Sequence, residues 1–233
     1  MLMIYSRVIC ISGYSAMNDN IEIFSAAEAV EVFNGLMLGD GGLRMHGQHA
    51  HFQIALAGLE TMNYLNNVKS ALLARSIYSL NGYPKTARRV EWNGTAYDSC
   101  YLTTRTSLLL LQEYIKWYPN NRKEVPVYIE LTPISLAHWF MGDGSSSYGE
   151  CSSVSTKFAS CGFSIDSIII LERELHKLGL NTGRSNNRGV KKGSGIYITI
   201  LQDSTDNLMD IIHPYMLEPY LYKIKYRGEQ LHG

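Results

Sequence analysis

The chain has 233 residues, with 21 basic and 21 acidic side chains, so its formal net charge is zero. Hydrophobic residues make up 45% and charged residues 18% of the chain, a composition typical of a folded protein and not of a disordered one. Zero net charge excludes a protein that holds nucleic acid through bulk positive charge, so any such contact must come from local clusters.

Residues 1–24 are predicted to be a leader without an assigned role. Its apolar stretch, Val8–Ile11, is too short for a signal peptide, and no run elsewhere approaches the ~20 apolar residues that span a bilayer. The cysteines form no C-x-x-C pair, which favours reduced structural cysteines over a disulfide or zinc framework. We therefore expect a cytoplasmic or organellar protein that makes no membrane contact.

The first predicted helix opens with a capping box, since Ser25 is followed three residues later by Glu28. The apolar periodicity predicts a helix over 26–39, which ends at Asp40-Gly41 because glycine lets the backbone leave the helix. Further on, the pattern predicts strand-like pieces around a turn at 46–47, a strand at 50–56, a helix at 60–73, strands at 75–78, 88–92 and 97–103, and a helix at 106–117.

A second helix start lies about a hundred residues further on, where Thr132 is a plausible N-cap and Pro133 suits the first helical position. This helix ends at Gly142-Asp143-Gly144, which matches Gly39-Asp40-Gly41. Beyond it, the pattern predicts strands at 145–148 and 152–156, a helix at 165–178, strands at 181–185 and 195–201, and a helix at 204–212.

Both halves thus have the predicted order αββαββα. Self-similarity at this long period indicates a duplicated domain and not a solenoid. We expect an α+β fold of two pseudo-symmetric halves, each with an antiparallel sheet. The predicted organisation is a leader at 1–24, a first half at 25–118, a linker at 119–131 and a second half at 132–233.

Each of these two helices, the motif helices, ends at an aspartate, Asp40 or Asp143. The helix dipole disfavours an anion at this end, so an aspartate there in two matching contexts points to a cation. The carbonyl oxygens of Gly39 and Gly142 could join the two carboxylates as ligands, and oxygen ligands suit Mg²⁺. These four residues are the predicted metal site.

Small residues mark one face of each motif helix. Gly35 and Gly39 are four residues apart, and His138 and Gly142 have the same spacing. Small residues on a shared face let two backbones approach closely, so we expect the motif helices to pack at the centre. Their aspartates would then lie side by side, and paired metal-binding carboxylates are typical of a site that cleaves phosphodiesters.

The two segments 33–41 and 136–144 resemble the LAGLIDADG motif. Over residues 26–226 the chain resembles a monomeric, two-motif, intron-encoded LAGLIDADG homing endonuclease. Phe33, Asn34 and His138 depart from the usual motif, and His138 puts the helix interface in question. The string Leu56–Glu60 spells part of the family name, but no Asp-Gly follows it, so we interpret it as coincidence.

The resemblance implies a saddle of two sheets in the DNA major groove, with the motif helices at its centre. It implies that Asp40 and Asp143 bind Mg²⁺, with Mn²⁺ able to substitute and Ca²⁺ binding without supporting cleavage. Each active site of the family often carries a basic residue. The catalytic candidates are Lys123 for the first half and Lys223 for the second, with Lys225 as an alternate on the same predicted strand.

Strands in the major groove present side chains at alternate positions to the bases, while basic residues in turns more often hold phosphates. The DNA-binding candidates of the first half are Arg44, His46, Gln48, His51, Gln53, Arg75, Tyr78, Arg88, Arg89, Trp92, Tyr97, Ser99, Tyr101 and Thr103. Those of the second half are Ser145, Ser147, Ser155, Lys157, Arg184, Asn186, Arg188, Lys191, Lys192, Tyr197 and Thr199.

Three functions stay open on the sequence alone. The first is a site-specific endonuclease that cuts a double-stranded DNA site of about two turns and promotes intron homing. The second is an RNA-binding intron maturase on the same fold, with intron RNA as its partner; this role does not need the two aspartates. The third is an unrelated α/β enzyme with coincidental Asp-Gly turns.

Overall fold

The computed structural model describes residues 24–75, 84–92, 95–150, 153–186 and 193–228, with the backbone alone at 86–92 and 95–97. The capping box predicted at the first helix is present: Glu28 N donates to Ser25 Oγ, and Ser25 N donates to the Glu28 carboxylate at 2.8 Å. The first half contains α1 (Ala26–Leu38), β1 (Gly42–His46), β2 (His49–Ala57), α2 (Met62–Ala74), β3 (Lys85–Trp92), β4 (Thr95–Thr103) and α3 (Leu108–Trp117).

The second half also begins as predicted, with Thr132 capping a helix whose first residue is Pro133. It contains α4 (Pro133–Asp143), β5 (Gly144–Tyr148), β6 (Val154–Phe158), α5 (Ile165–Lys177), β7 (Thr182–Asn186), β8 (Ile196–Ile200) and α6 (Thr205–Ile212). A 3-10 helix, Glu218–Lys223, follows near the C-terminus. The predicted strand around Lys223 and Lys225 is therefore wrong, since Pro219 and the short i,i+3 turns favour a 3-10 helix over a strand.

The two sheets repeat one topology, β1-β2-β4-β3 in the first half and β5-β6-β8-β7 in the second, and all their pairs are antiparallel. The expected α+β fold of two matching halves is confirmed. Among the described residues, no helix has the length and apolar character needed to cross a membrane.

The motif helices α1 and α4 pack against each other in the core, as expected from their small residues. A Cβ added at Gly35 would lie 2.6 Å from His138 Cβ and would also collide with Ser135 O. A Cβ at Gly39 would lie 3.4 Å from Gly142 Cα. Glycine at position 35 thus leaves the space that His138 occupies, and the Gly39–Gly142 pair joins the two helix ends.

Each sheet has one face covered by helices and one face that we call the open face. Cross-strand partners share a face, so the register assigns the sides. In the first sheet, Leu43 pairs with Phe52 and both are buried, whereas Arg44 pairs with His51 on the open face. In the second sheet, the open face carries the pair formed by Ser145 and Lys157.

Candidate active site and nucleic-acid interface

The two motif aspartates lie together at the adjoining ends of α1 and α4. A Cβ added at Gly142 would be 3.3 Å from Asp40 Oδ2 and 3.2 Å from Asp40 N, so the second helix end reaches the first carboxylate. Asp40 is exposed and Asp143 is half-buried. Both carboxylates are therefore accessible at one point between the halves, as the close approach of the motif helices predicts.

The electrostatics of this pair favour a bound cation. Burial, together with the negative charge of Asp40, raises the pKa of Asp143 to about 7. Desolvation raises the pKa of Asp40 as well, although Lys223 and Lys123 act to lower it. Two neighbouring carboxylates disfavour ionisation of each other, and a divalent cation between them would remove that penalty.

Lys123 reaches this site from the segment between α3 and α4. Its Nζ donates to the carbonyl oxygens of Gly39 (3.0 Å) and Gly41 (2.8 Å), so an ammonium group meets the negative end of α1. Burial lowers the pKa of Lys123 to about 8, while the charges of Asp143 and Asp40 oppose the change. The residue lines a cleft with Asp143 and Phe163.

Lys223 caps the end of the other motif helix, α4, in the same way. From the 3-10 helix Glu218–Lys223 its Nζ donates to the carbonyl oxygens of Phe140 (3.3 Å), Met141 (2.6 Å) and Gly142 (3.3 Å). It lines a cleft with Asp40. The alternate, Lys225, instead places its Nζ 4.7 Å from the centre of the Tyr148 ring. Of the two lysines near the C-terminus, Lys223 is therefore the one at the aspartates.

The two lysines are arranged crosswise, which the sequence did not indicate. Lys123 was predicted to serve the first half, but it shares its cleft with Asp143 of the second motif. Lys223 was predicted to serve the second half, but it shares its cleft with Asp40. Asp143 is also the larger of the two acidic influences on the pKa of Lys123, and Asp40 is the larger on that of Lys223. Each cleft is therefore built from both halves.

The residues present fit a hard divalent cation. Two carboxylates converge at the helix ends, and no group of three or more His, Cys, Asp or Glu side chains suited to a metal occurs among the described residues. Mg²⁺ is commonly held by one or two carboxylates, with water and substrate phosphate completing its shell. The carbonyl oxygens of Gly39 and Gly142, the other predicted ligands, accept hydrogen bonds from Lys123 and Lys223.

His138, the unusual residue of the second motif, is buried within the core. Its Nδ1 is 3.0 Å from Tyr64 Oη, and the two rings stack with centroids 5.6 Å apart. Burial lowers the pKa of His138 to about 3, so it is neutral near pH 7. The Tyr64 ring also meets the Tyr220 ring edge-on at 5.3 Å. His138 is accommodated through a neutral hydrogen bond and the space above Gly35.

Most described DNA-binding candidates of the first half lie on the open face. Gln53 pairs with Thr103, and Tyr101 pairs with both Ala55 and Lys85. The candidates on this face, with Gln48 in the exposed turn beside it, are Arg44, His46, His51, Gln53, Ser99, Tyr101 and Thr103. Lys85 shares the face and is exposed, and it was missed because its strand was predicted to start later.

One first-half candidate is wrongly placed. Arg75 was predicted in a strand, but it caps the C-terminal end of α2, and its guanidinium donates to Glu113 at 2.7 Å and lies over the Phe33 ring at 4.7 Å. The side chain is half-buried and its guanidinium is paired with Glu113, so Arg75 is not a strand residue on the open face. Tyr78 lies outside the described residues, and the side chains of Arg88, Arg89, Trp92 and Tyr97 lie outside them as well.

The register of the second sheet divides its candidates between two faces. Ser147 pairs with Ser155 and Thr199 pairs with Lys157, all on the open face. Lys157 Nζ lies 5.2 Å from the centre of the Tyr197 ring, another open-face candidate.

Arg184 and Asn186 are on the other side of this sheet, so their placement on the open face is wrong. They pair with Ile198 and Ile196, on the face that packs on the helices. Arg184 also donates twice to Glu172 of α5. Alternation alone could not reveal this, because a shift of one residue exchanges the two faces. The candidates Arg188, Lys191 and Lys192 lie outside the described residues.

Known proteins are similar to this chain in fold and in sequence. The structure of the homing endonuclease I-WcaI bound to its DNA recognition sequence is similar, with a TM-score of 0.69 and 20% identity over 88% of this chain and 89% of that chain. Cytochrome b mRNA maturase bI2 of Saccharomyces cerevisiae is 26% identical over 220 residues, which are 89% of this chain and 49% of that protein. The protein of the same name from Debaryomyces hansenii is 25% identical over 222 residues, which are 93% of this chain and 80% of that protein.

The chain thus spans about half the length of the Saccharomyces relative. The profile of the LAGLIDADG DNA endonuclease family matches residues 30–208. This range contains most of α1, all of α4, both motif aspartates and both sheets. On that match, which covers most of its length, the chain belongs to the LAGLIDADG DNA endonuclease family.

Proposed function

We propose that this protein is a site-specific homing endonuclease that makes a double-strand break in a long DNA site by Mg²⁺-dependent phosphodiester hydrolysis, thereby promoting intron homing. The observation that carries the proposal is the crosswise site: two adjacent carboxylates, each sharing a cleft with a lysine that caps the opposite motif helix. Two clefts around one carboxylate pair suit two scissile phosphates, one on each strand. One chain supplies both, so we propose that it acts as a monomer.

Asp40 and Asp143 would hold the metal between the helix ends. When bound, Mg²⁺ supplies Lewis-acid polarisation of a phosphate oxygen and an activated water. Lys123 and Lys223 would stabilise the charge that develops on the phosphate, because each ammonium is fixed in place by helix carbonyls before the substrate arrives. Mn²⁺ should replace Mg²⁺, and Ca²⁺ should bind without supporting cleavage.

The open faces would provide the DNA contacts. Arg44, Gln53 and Tyr101 line one cleft with Asp40, so the first sheet continues directly into the proposed active site. Arginine and glutamine are suited to bidentate contacts with guanine and adenine in the major groove. Lys157 pairs with Ser145 on the second sheet as Gln53 pairs with Gly42 on the first, and it would bind DNA from there.

An RNA-binding maturase is the second candidate, and one observation favours it: both curated relatives are named as mRNA maturases. Such a role would use an intron RNA as partner and would not require the two aspartates. The carboxylate pair at the adjoining helix ends therefore favours cleavage.

The experiment is DNA cleavage by the purified chain, with a randomised duplex library and with the intronless insertion site of its own gene. We expect cleavage with Mg²⁺ and binding without cleavage in Ca²⁺. Asp40→Asn and Asp143→Asn should slow cleavage by ~10²–10³-fold or more while DNA affinity in Ca²⁺ is retained. Each substitution keeps the size of the side chain and removes its charge.

Three results separate the alternatives. If both asparagine variants cut as fast as the wild type, the proposed catalytic site is incorrect. A wild type that cuts no DNA but binds its intron RNA tightly supports the maturase. DNA affinity should also fall steeply with salt, because each phosphate contact releases counterions; a flat response would contradict DNA binding across the open faces.

A further inference from the structure

The segment between α3 and α4 carries two adjacent charged residues that point to different elements. Lys123 reaches the end of α1, whereas Glu124 reaches the beginning of α5 in the second half. The backbone between them is also fixed, since Glu124 N donates to Trp117 O at 2.8 Å. This segment therefore links the first motif helix to a helix of the other half.

The carboxylate of Glu124 is held by several donors at the first turn of α5. Its Oε2 accepts from Ser164 N at 3.3 Å, from Ser164 Oγ and from Ser167 Oγ at 2.7 Å. Ser167 Oγ also accepts from Val125 N at 2.9 Å. A carboxylate at the positive end of a helix is stabilised by the helix dipole. Burial acts to raise the pKa of Glu124, but these hydrogen bonds and the charge of Arg122 together lower it.

The same contacts fix the wall of the Lys123 cleft. Gly162 and Phe163, which line that cleft, immediately precede Ser164. Arg122 adds a second link, because its Nη2 donates to Gly162 O at 3.3 Å while its Nε lies 3.4 Å from Glu124 Oε1. Glu124 thus fixes the position of Lys123 relative to the opposite wall of the cleft.

The other cleft has a separate support. Lys223 is carried by the 3-10 helix Glu218–Lys223, and that cleft is lined by residues from β2, its following turn and α4. The hydrogen bonds of Glu124 described above go to Ser164, Ser167 and Trp117, none of which lines it. A change at Glu124 should therefore reach one active site and spare the other.

We infer that Glu124 is a positioning residue that holds Lys123 beside Asp143, and that it controls cleavage of one DNA strand and not of the other. The role rests on the proposed endonuclease function. A displacement of about 1 Å at a group that acts on the transition state can cost ~10²-fold in rate. The Glu124 carboxylate contacts Ser164, Ser167 and Arg122, so its effect on cleavage would act through the placement of Lys123 and of the cleft wall.

The test uses the full chain, its target site on a supercoiled plasmid, and a duplex labelled on either strand. In Glu124→Ala, cleavage of one strand should slow by ~10²-fold, so nicked circles accumulate before linear product. The slowed strand should be the one that Lys123→Met slows. Glu124→Gln should recover most of the rate, because its amide oxygen can still accept from the serine hydroxyls.

A matched control lies on α5, the helix that Glu124 contacts. Glu172 is a carboxylate of α5, and its partner is Arg184 on the sheet. Glu172→Ala should leave the ratio of the two strand rates unchanged. The double variant Ser164→Ala, Ser167→Ala removes the hydroxyl partners while keeping Glu124, and it should reproduce the strand bias. This variant provides the measurement if Glu124→Ala does not fold.

Equal slowing of both strands in folded variants, or no slowing of either, overturns the positioning role while leaving the endonuclease intact. A strand bias opposite to that of Lys123→Met overturns it as well. A wild-type chain that cuts neither strand overturns the proposed function and, with it, this role.

Discussion

The first and second halves share one strand order but present different side chains. The open face of the first sheet carries long groups that can read bases, such as Arg44, Gln53 and Tyr101, whereas the described open face of the second is dominated by small residues such as Ser145 and Ser147, with Lys157 as a cation. The helix ends differ as well, because Lys123 is held by a linker and Lys223 by a 3-10 helix. A shared backbone thus fixes the central site, while each half is free to differ in its contacts.

The largest effect should come from removing one lysine at a time. Lys123→Met and Lys223→Met should each slow cleavage by ~10²–10³-fold, because an ammonium placed at the developing phosphate charge is lost. The structure assigns the lysines to different clefts, so the two variants should slow opposite strands. Strand-labelled duplexes measure both rates in one reaction.

This prediction tests the division of the site itself. If both variants slow the same strand, or if each slows both strands equally, the two clefts do not act separately. Lys225→Met is a suitable control, since the Lys225 ammonium lies over Tyr148 and not in either cleft.

Local signals in the sequence predicted the helices and their ends. The capping box at Ser25, the N-cap Thr132 with Pro133, and the Gly-Asp-Gly end of each helix marked both motif helices, and these signals require only neighbouring residues. The approach of Gly39 to Gly142 also followed from spacing. Features that depend on short-range patterns were therefore predictable from the sequence.

Features that depend on long-range packing were not predictable in this way. The crosswise placement of Lys123 and Lys223 depends on where two distant segments cross the helix ends. Arg184 was assigned to the wrong face because alternation defines two faces of a strand but does not show which of them the helices cover. Arg75 is half-buried beside Glu113, an ion-pair partner that is distant in sequence.

The next effect concerns DNA affinity, where the two open faces should differ. Arg44→Ala should weaken binding by about 1–3 kcal/mol, or about 5–150-fold in Kd, if the arginine contacts a base. Ser147→Ala on the second sheet should cost less than about 0.5 kcal/mol, as most surface substitutions do. The measurement is Kd in Ca²⁺ with the full target duplex.

DNA targets with base substitutions in one half-site test the same difference between the two sheets. Base changes under the first sheet should cost more affinity than changes under the second, because the first sheet supplies more side chains able to make bidentate contacts. The expected difference between the sheets would be contradicted by equal losses of affinity in both half-sites. A larger loss of affinity for Ser147→Ala than for Arg44→Ala would contradict it as well.

The two aspartates should differ in a smaller way, in the stability of the metal-free protein. The folded pKa of Asp143 is about 7, above its ordinary value of 3.8, so folding favours the protonated form. Stability is therefore lost as pH rises from about 4 through 7. Asp143→Asn should raise Tm at pH 8 by about 2–4 °C, which corresponds to ~1 kcal/mol in a domain of this size.

Thermal unfolding at several pH values in the presence of a chelator measures this effect. The gain should shrink toward pH 4, where the wild-type carboxyl is protonated as well. Asp40→Asn should give a smaller gain, since Asp40 is the more exposed of the two. A Tm of Asp143→Asn below that of the wild type at pH 8 would contradict the raised pKa.

The smallest expected effect tests the assignment of faces in the second sheet. Lys157 lies on the open face, so Lys157→Ala should weaken DNA binding and lower the slope of log K against log salt by about 1 if the lysine contacts a phosphate. Arg184→Ala removes the same charge from the helix-covered face, where Glu172 already neutralises it. Its Kd should change by less than about 2-fold, because an exposed ion pair contributes ~0–1 kcal/mol to the fold and nothing directly to DNA. If Arg184→Ala lowers the salt slope as much as Lys157→Ala does, both side chains contact DNA, which would contradict the assignment of faces in this sheet.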